Sequence, residues 1–259
     1  GDQMQLAQPI KGTHPGDAGT SGLVFLLGNN RVIPPEKGIF LDTTRRLHPD
    51  ICDFVSHAFY EGKLKAHPST KKRSLVLNSG SLPKTGIRMV LSEHRGCIQT
   101  SVEEGKIVGS YYTELLKQQF QDVDSDGTLQ PPQAISEKDI LVVTPYNAQD
   151  VHLRTILPED SKIGTVDKFQ GQEEQVVLIS MVTSTMEDIP RNMEFLYSRN
   201  RLNVALSRAK CLSVIVLNPN LLEAPCRTIE QIALVNTLCW LEAYSDDLLS
   251  GKAQKAGIP

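Results

Sequence analysis

Short apolar runs rich in β-branched residues recur along this chain between stretches of helical periodicity, a pattern that predicts a mostly parallel α/β sheet. The runs are Ile39-Phe40-Leu41, Arg88-Met89-Val90-Leu91, Ile140-Leu141-Val142-Val143, 162–166, 176–182 and 212–217. The longer ones scarcely alternate, as expected of strands covered on both faces. Pro49 suits a first helical turn, and Ile51, Phe54, Val55, Ala58 and Phe59 follow at helical spacing. Ser101 with Glu104 predicts a capping box opening a helix that runs to about residue 121, with Ile107, Val108, Tyr111, Tyr112, Leu115 and Leu116 as its buried face. A last helix carries Ile229, Ile232, Ala233 and Trp240 on one side.

Two stretches break the pattern. Residues 61–86, rich in Lys, Ser, Pro and Gly, predict an exposed excursion, and residues 122–137 predict a surface loop. Asp122, Asp124, Asp126 and Gly127 resemble the start of a calcium loop, but the glutamate expected near its end is missing, so a solvated turn is the reading. The expected organisation is a connecting segment over 1–38, one domain over 39–244 and a flexible tail over 245–259.

Composition narrows the class. With 259 residues, 40% hydrophobic and 22% charged, the chain can bury a sizeable core as a folded domain. A net charge of -3 excludes a globally basic nucleic-acid binder, although a cleft can be locally basic on an acidic protein. The five cysteines are scattered without a C-x-x-C pair and read as reduced thiols of a cytoplasmic protein. The six histidines lack metal-ligand spacing; Asp53 and His57 share a helix face and read as solvated. No apolar run reaches membrane-spanning length. The chain opens on Gly1-Asp2, without an initiator methionine, and is expected to be a piece of a longer protein.

Polar segments follow the predicted strands: Thr144-Pro145-Tyr146-Asn147-Ala148-Gln149 after one, Asp167-Lys168-Phe169-Gln170-Gly171 after another. In doubly wound sheets ligands bind beyond the carboxyl ends of strands, so the informative side chains are expected on that single rim. Gly164-Thr165-Val166-Asp167-Lys168-Phe169-Gln170-Gly171-Gln172-Glu173 and Asn203-Val204-Ala205-Leu206-Ser207-Arg208-Ala209-Lys210 resemble, in order and spacing, motifs V and VI of superfamily 1 helicases. Gly1-Asp2-Gln3-Met4-Gln5-Leu6 resembles motif III. Arg45-Arg46-Leu47-His48-Pro49 with Phe59-Tyr60-Glu61-Gly62 resembles motif IV of the branch holding the nonsense-decay and Dna2-type helicases, with Thr44 and Arg45 where that branch has Gln and Tyr. Val143-Thr144-Pro145-Tyr146 resembles motif IVa. The resemblance covers residues 1 to about 218 and implies a RecA-like P-loop NTPase fold, specifically the second motor domain. Likeness around 12–17 and 195–210 narrows it to bacterial proteins that fuse a RecB-like nuclease to such a helicase.

The resemblance also implies roles. Phosphoryl transfer accumulates negative charge that planar guanidinium groups stabilise, and the family pattern puts Arg46 and Arg208 there; the competing reading of each is a surface ion pair. Gln5 would sense the γ-phosphate. Glu173 would hydrogen-bond the ribose, against the alternative of a solvated acid beside Glu174. Gln170 and Gly171 would form a turn that lets backbone approach the nucleotide. Thr165 and Thr144 would hold backbone phosphates of a single strand, and Tyr146 would stack on a base; ordinary strand residues are the alternative for both threonines.

Absences complete the picture. The chain has neither a G-x-x-x-x-G-K phosphate loop followed by Ser or Thr nor a D-E-x-x segment to hold magnesium. ATP and Mg2+ are therefore expected to be held mostly by an upstream first RecA-like domain, with this chain inactive by itself and no metal site of its own. Single-stranded DNA is the expected partner. The competing readings are an RNA-directed helicase and a catalytically silent nucleic-acid-binding module of the same fold.

Overall fold

The computed structural model describes residues 1–6, 15–28, 30–78, 80–169, 171–190 and 193–251. Its first half holds α1 (Gly22–Leu27), β1 (Thr43–Thr44), α2 (Pro49–Phe59), β2 (Lys65–Ala66), β3 (Ser74–Val76), β4 (Gly86–Leu91), α3 (Val102–Leu115), β5 (Gln119–Gln121) and β6 (Gln133–Ala134). The second half holds β7 (Ile140–Thr144), α4 (Asn147–Leu153), β8 (Lys162–Thr165), β9 (Glu174–Ser180), α5 (Met193–Leu196), α6 (Arg199–Leu206), β10 (Ala209–Leu217) and α7 (Ile229–Leu249).

Strands β4, β10, β9, β7 and β8 lie side by side in that order, all parallel. Successive side chains point to opposite faces, as strand geometry requires. Leu141, Val143, Val177, Ile179, Ile215 and Leu217 pack on one face with residues of α2, α6 and α7. Ile140, Val142, Val176, Leu178, Val214 and Val216 pack on the other against α3 and α4. Cover on both faces explains why these runs show no polar alternation. The fold is of the α/β class expected, with a mostly parallel sheet between two helical layers. No helix among the described residues is long and apolar enough to cross a membrane.

Pro49 does open α2, capped by the His48 ring accepting from the Asp50 N–H. Phe54 then packs against Trp240 and Tyr244 of α7, with ring centroids 5.1 and 5.5 Å apart. Other expectations change. Ile39-Phe40-Leu41 is not a strand, and Ile39 and Leu41 are 89% and 83% exposed. Helix α7 buries Val235, Leu238, Leu241 and Tyr244 and leaves Ile229, Ile232 and Ala233 exposed, so of the predicted face only Trp240 packs on the core. It continues past residue 245 to Leu249, and the buried Ser245 hydroxyl accepts from the Met89 N–H. Helix α3 stops at Leu115, because residues 119–121 leave it to form β5. Strands β3, β5 and β6 make a small antiparallel sheet where an excursion and a surface loop were expected. Asp124 spends its carboxylate on the N–H groups of Asp126 and Thr128 and the Gln130 amide, which is turn chemistry.

The Ser101–Glu104 pair caps α3 only from one side. The Ser101 hydroxyl accepts from the Glu104 N–H at 3.1 Å, but the Glu104 carboxylate turns inward and is wholly buried. It accepts from the Ser180 hydroxyl at 2.7 Å and the Val182 N–H at 2.9 Å, and lies 3.1 Å from His94 Nε2. His94 Nδ1 lies 2.7 Å from the Ser184 hydroxyl, while Gln149 bonds both Ser101 and Ser180. This network joins the loops leaving β4, β7 and β9. It also holds Val182 at φ 74°, a conformation a β-branched residue adopts only under such constraint.

Candidate nucleotide site

Sheet register assembles the site. Strands β9 and β10 are parallel neighbours, so the residues just before them sit side by side, and the Glu174 N–H donates to the Arg208 carbonyl at 3.0 Å. On the other edge of β10, β4 begins only opposite Leu212. The Lys210 carbonyl is thereby free to accept from the His48 N–H at 3.0 Å, which stitches the segment around Arg46 to the same corner. Arg46, Glu173 and Arg208 therefore meet at the amino ends of β9 and β10. Thr144 and Thr165 end β7 and β8, at the opposite rim. The single carboxyl-end rim predicted for all of them is corrected to two.

At the amino-end rim, Arg46 Nε donates to Glu173 Oε2 and its Nη1 to the Ser207 carbonyl at 3.2 Å. Lys210 Nζ stands 3.4 Å from the other Glu173 oxygen. Burial pushes the Glu173 carboxyl up, but the charges and hydrogen bonds of Arg46 and Lys210 outweigh it and hold the group below the usual carboxylate range. Arg208 is only 2% exposed. It donates to two neutral acceptors, the Gln172 carbonyl at 3.2 Å and Gln5 Oε1 at 3.3 Å, while its Nε has no partner. Burial and then the adjacent Arg46 charge push the Arg208 guanidinium down, with Glu173 opposing. A buried cation without a carboxylate of its own is a strong anion receptor, because an unpaired buried charge is costly.

Gln5 accepts from Arg208 and lines the adjoining cleft. Its amide donates to Asp2 at 2.8 Å, and Asp2 also accepts from the Tyr60 hydroxyl at 2.6 Å. Asn203 on α6 clamps this segment by donating to the Met4 carbonyl at 2.8 Å and to Tyr60, and Asn200 donates to the carbonyls of Gln3 and Gln5. In front lies a cleft of about 470 Å³, lined among others by Gln5, Leu41, Arg45, Arg46, Tyr60 and Glu173. Arg45 is exposed at its wall. These groups fit the anionic tail of a nucleotide. Among the described residues no cluster of His, Cys, Asp or Glu is arranged to hold a metal ion.

Of the other candidates, Gln170 lies outside the described residues, as do residues 12–14 of the narrower likeness. Gly171 has φ 86° with open space around its Cβ position, so the left-handed backbone requires glycine there and crowding within the protein does not. Thr165 is half-buried at the end of β8. Thr144 is wholly buried with an unpaired hydroxyl, and the Tyr146 ring is 5% exposed beneath Phe195, their centroids 5.8 Å apart. Neither therefore offers a phosphate contact or a stacking face at the surface. Asp167 pairs with Arg201 at 2.7 Å, in keeping with a structural part.

A protein family described as an AAA domain, AAA_12, matches residues 23–220. The chain belongs to the AAA domain family. DNA polymerase alpha-associated DNA helicase A of Saccharomyces cerevisiae is 31% identical to this AAA domain over 201 residues, covering 71% of the chain and 28% of that protein. The regulator of nonsense transcripts 1 homolog of Drosophila melanogaster is 28% identical over 232 residues, covering 86% of the chain and 18% of that protein. The chain thus spans less than a third of the length of either relative. Among solved structures, the arterivirus nonstructural protein 10 helicase is 15% identical, covering 68% of this chain and 25% of that one with a TM-score of 0.31. The helicase relatives and the motif order together make this AAA domain a superfamily 1 helicase domain, a family that works with ATP and Mg2+.

Sequence reasoning on this AAA domain missed several residues at the site. Tyr60, Lys210 and Asn203 lie inside the matched motifs but were given no part, and Arg73 and Asp122 lie in stretches read as exposed. Only the strand pairing reveals their part, since no local pattern marks Arg73 and the one around Asp122 reads as a solvated turn.

Proposed function

We propose that this chain is the second motor domain of an ATP-dependent superfamily 1 helicase, with residues 39–244 as its RecA-like unit. It supplies Arg208 and Arg46 to the γ-phosphate and Glu173 to the ribose. Gln5 exchanges its contact with Arg208 for a phosphate oxygen and so reports nucleotide state, while Gly171, with Gln170 before it in sequence, lets backbone approach the nucleotide. The observation that carries this reading is Arg208 itself, buried at 2% exposure with an unpaired Nε and no carboxylate partner. Preorganised donors of this kind stabilise charge where it develops.

The phosphate loop and the magnesium ligands belong to the first RecA-like domain. A large apolar side chain left uncovered at the cleft, Leu41 at 83% exposure, with Ile39 two residues before it at 89%, supports such a neighbour. At the opposite rim Thr165 touches the backbone phosphates of a single strand, and Thr144 and Tyr146 follow only if the loops above them open. DNA is the proposed substrate, in keeping with the yeast relative named as a DNA helicase. The narrower reading, a cytoplasmic bacterial protein with an N-terminal RecB-like nuclease, rests on likeness around 12–17 and 195–210. Comparing stimulation of ATP turnover by single-stranded DNA and RNA of one sequence, in a protein carrying both motor domains, tests the substrate. We expect DNA to stimulate several-fold more strongly; stimulation by RNA alone would reverse the assignment.

A further inference from the structure

Two residues outside every helicase-like motif, Arg73 and Asp122, reach the backbone at Arg46. Strands β3 and β5 pair antiparallel with Ser74 opposite Gln121, so Arg73 and Asp122 face each other as the next pair outward. Arg73 is 7% exposed, and its Nε donates to Asp122 Oδ1. Its Nη1 donates to the Arg45 carbonyl at 2.8 Å and to the Arg46 carbonyl as well. Asp122 in turn is anchored to both strands that carry the nucleotide site. Its second oxygen accepts from Gln175 on β9 at 2.8 Å, two residues after Glu173, and lies 3.8 Å from Lys210 Nζ on β10.

From this geometry we propose that Arg73, fixed by Asp122, is a positioning residue for Arg46. The guanidinium fork grips the backbone from which the Arg46 side chain springs, and Asp122 references that grip to β9 and β10. The small β3-β5-β6 sheet thereby becomes part of the motor, a lever holding one arginine at the cleft. A planar fork suits this task because it serves a carboxylate and two carbonyls at once, which an ammonium cannot do with fixed geometry. The inference rests on the proposed role of Arg46 at the γ-phosphate.

ATP turnover by the protein carrying both motor domains tests it, with Arg73→Gln, Arg73→Lys, Arg46→Ala and the double variant Arg46→Ala/Arg73→Gln measured together. Misplacing a catalytic group by about 1 Å can cost on the order of 100-fold in rate. We therefore expect Arg73→Gln to lower kcat by about 10- to 100-fold, with KM for ATP moving less than about threefold. Arg73→Lys should fold as the parent does, judged by its melting temperature, and still lose kcat. The double variant should turn over no more slowly than Arg46→Ala alone, because Arg73 acts through Arg46. Additive losses, or a normal kcat in Arg73→Lys, would overturn the positioning role while leaving the function intact. An Arg46→Ala enzyme with normal turnover would remove the reading of Arg46 itself, and the inference with it.

Discussion

Replacing Arg208 by alanine in a protein that carries both motor domains is expected to lower kcat for ATP hydrolysis by on the order of 10³-fold or more, the range in which an arginine finger acts. Affinity for ATP should change far less, because on the proposed function the phosphate loop of the first motor domain would do most of the ground-state binding. The substitution should not unfold the domain, since Arg208 donates only to the Gln172 carbonyl and Gln5 Oε1 and has no ion-pair partner to leave stranded. Arg208→Lys should recover little, because an ammonium cannot reproduce the planar fork. Turnover within about threefold of the parent would remove Arg208 from the reaction and return it to the reading of an ordinary arginine.

The largest effect on stability is expected from Glu104→Ala. The carboxylate is wholly buried and serves the Ser180 hydroxyl, the Val182 N–H and His94 together. Its removal strands those groups in the interior and releases Val182 from a conformation it does not favour. A loss of about 3–5 kcal/mol is expected, because several buried donors lose their acceptor at once and each costs about 1–3 kcal/mol when left unsatisfied. Equilibrium urea unfolding of the chain reads this directly, and a loss below about 1 kcal/mol would show that the network organises loops without supporting the fold.

Much of the architecture was legible because its signals are local. The runs at 140–143, 176–182 and 212–217 lack polar alternation for the reason that helices cover both faces of the sheet. Pro49 marks the start of α2 because proline sets the backbone angle of a first turn. What was illegible depended on partners far along the chain. The spacing of Ser101 and Glu104 satisfies a capping box, yet nothing local reveals that Ser180 and Val182 compete for the same carboxylate and win it. Strands β3, β5 and β6 are only three, three and two residues long, too short for any periodicity to announce them. Without them Arg73 and Asp122 looked like surface charges.

The division of the candidates between two rims has the same origin. Motif residues can be read off the chain, but the rim on which each falls depends on where a strand starts and stops. Glu173 and Arg208 come just before β9 and β10, whereas Thr144 and Thr165 close β7 and β8. This separation suits a motor in which nucleotide and strand are held at different edges of one sheet. It also places the Arg46–Glu173 pair at the amino-end rim, where the two side chains satisfy each other and, on the proposed function, would part for a nucleotide.

The central claim is that these residues form half of an ATP site whose other half lies in a second domain. Measuring ATP turnover by this chain alone, and again when joined to a first motor domain bearing a phosphate loop, tests it most directly. The account predicts background turnover from the chain alone and turnover stimulated by single strands from the joined protein. Hydrolysis by the chain alone that is lost with Arg208→Ala would contradict it, because the site would then be complete within these 259 residues.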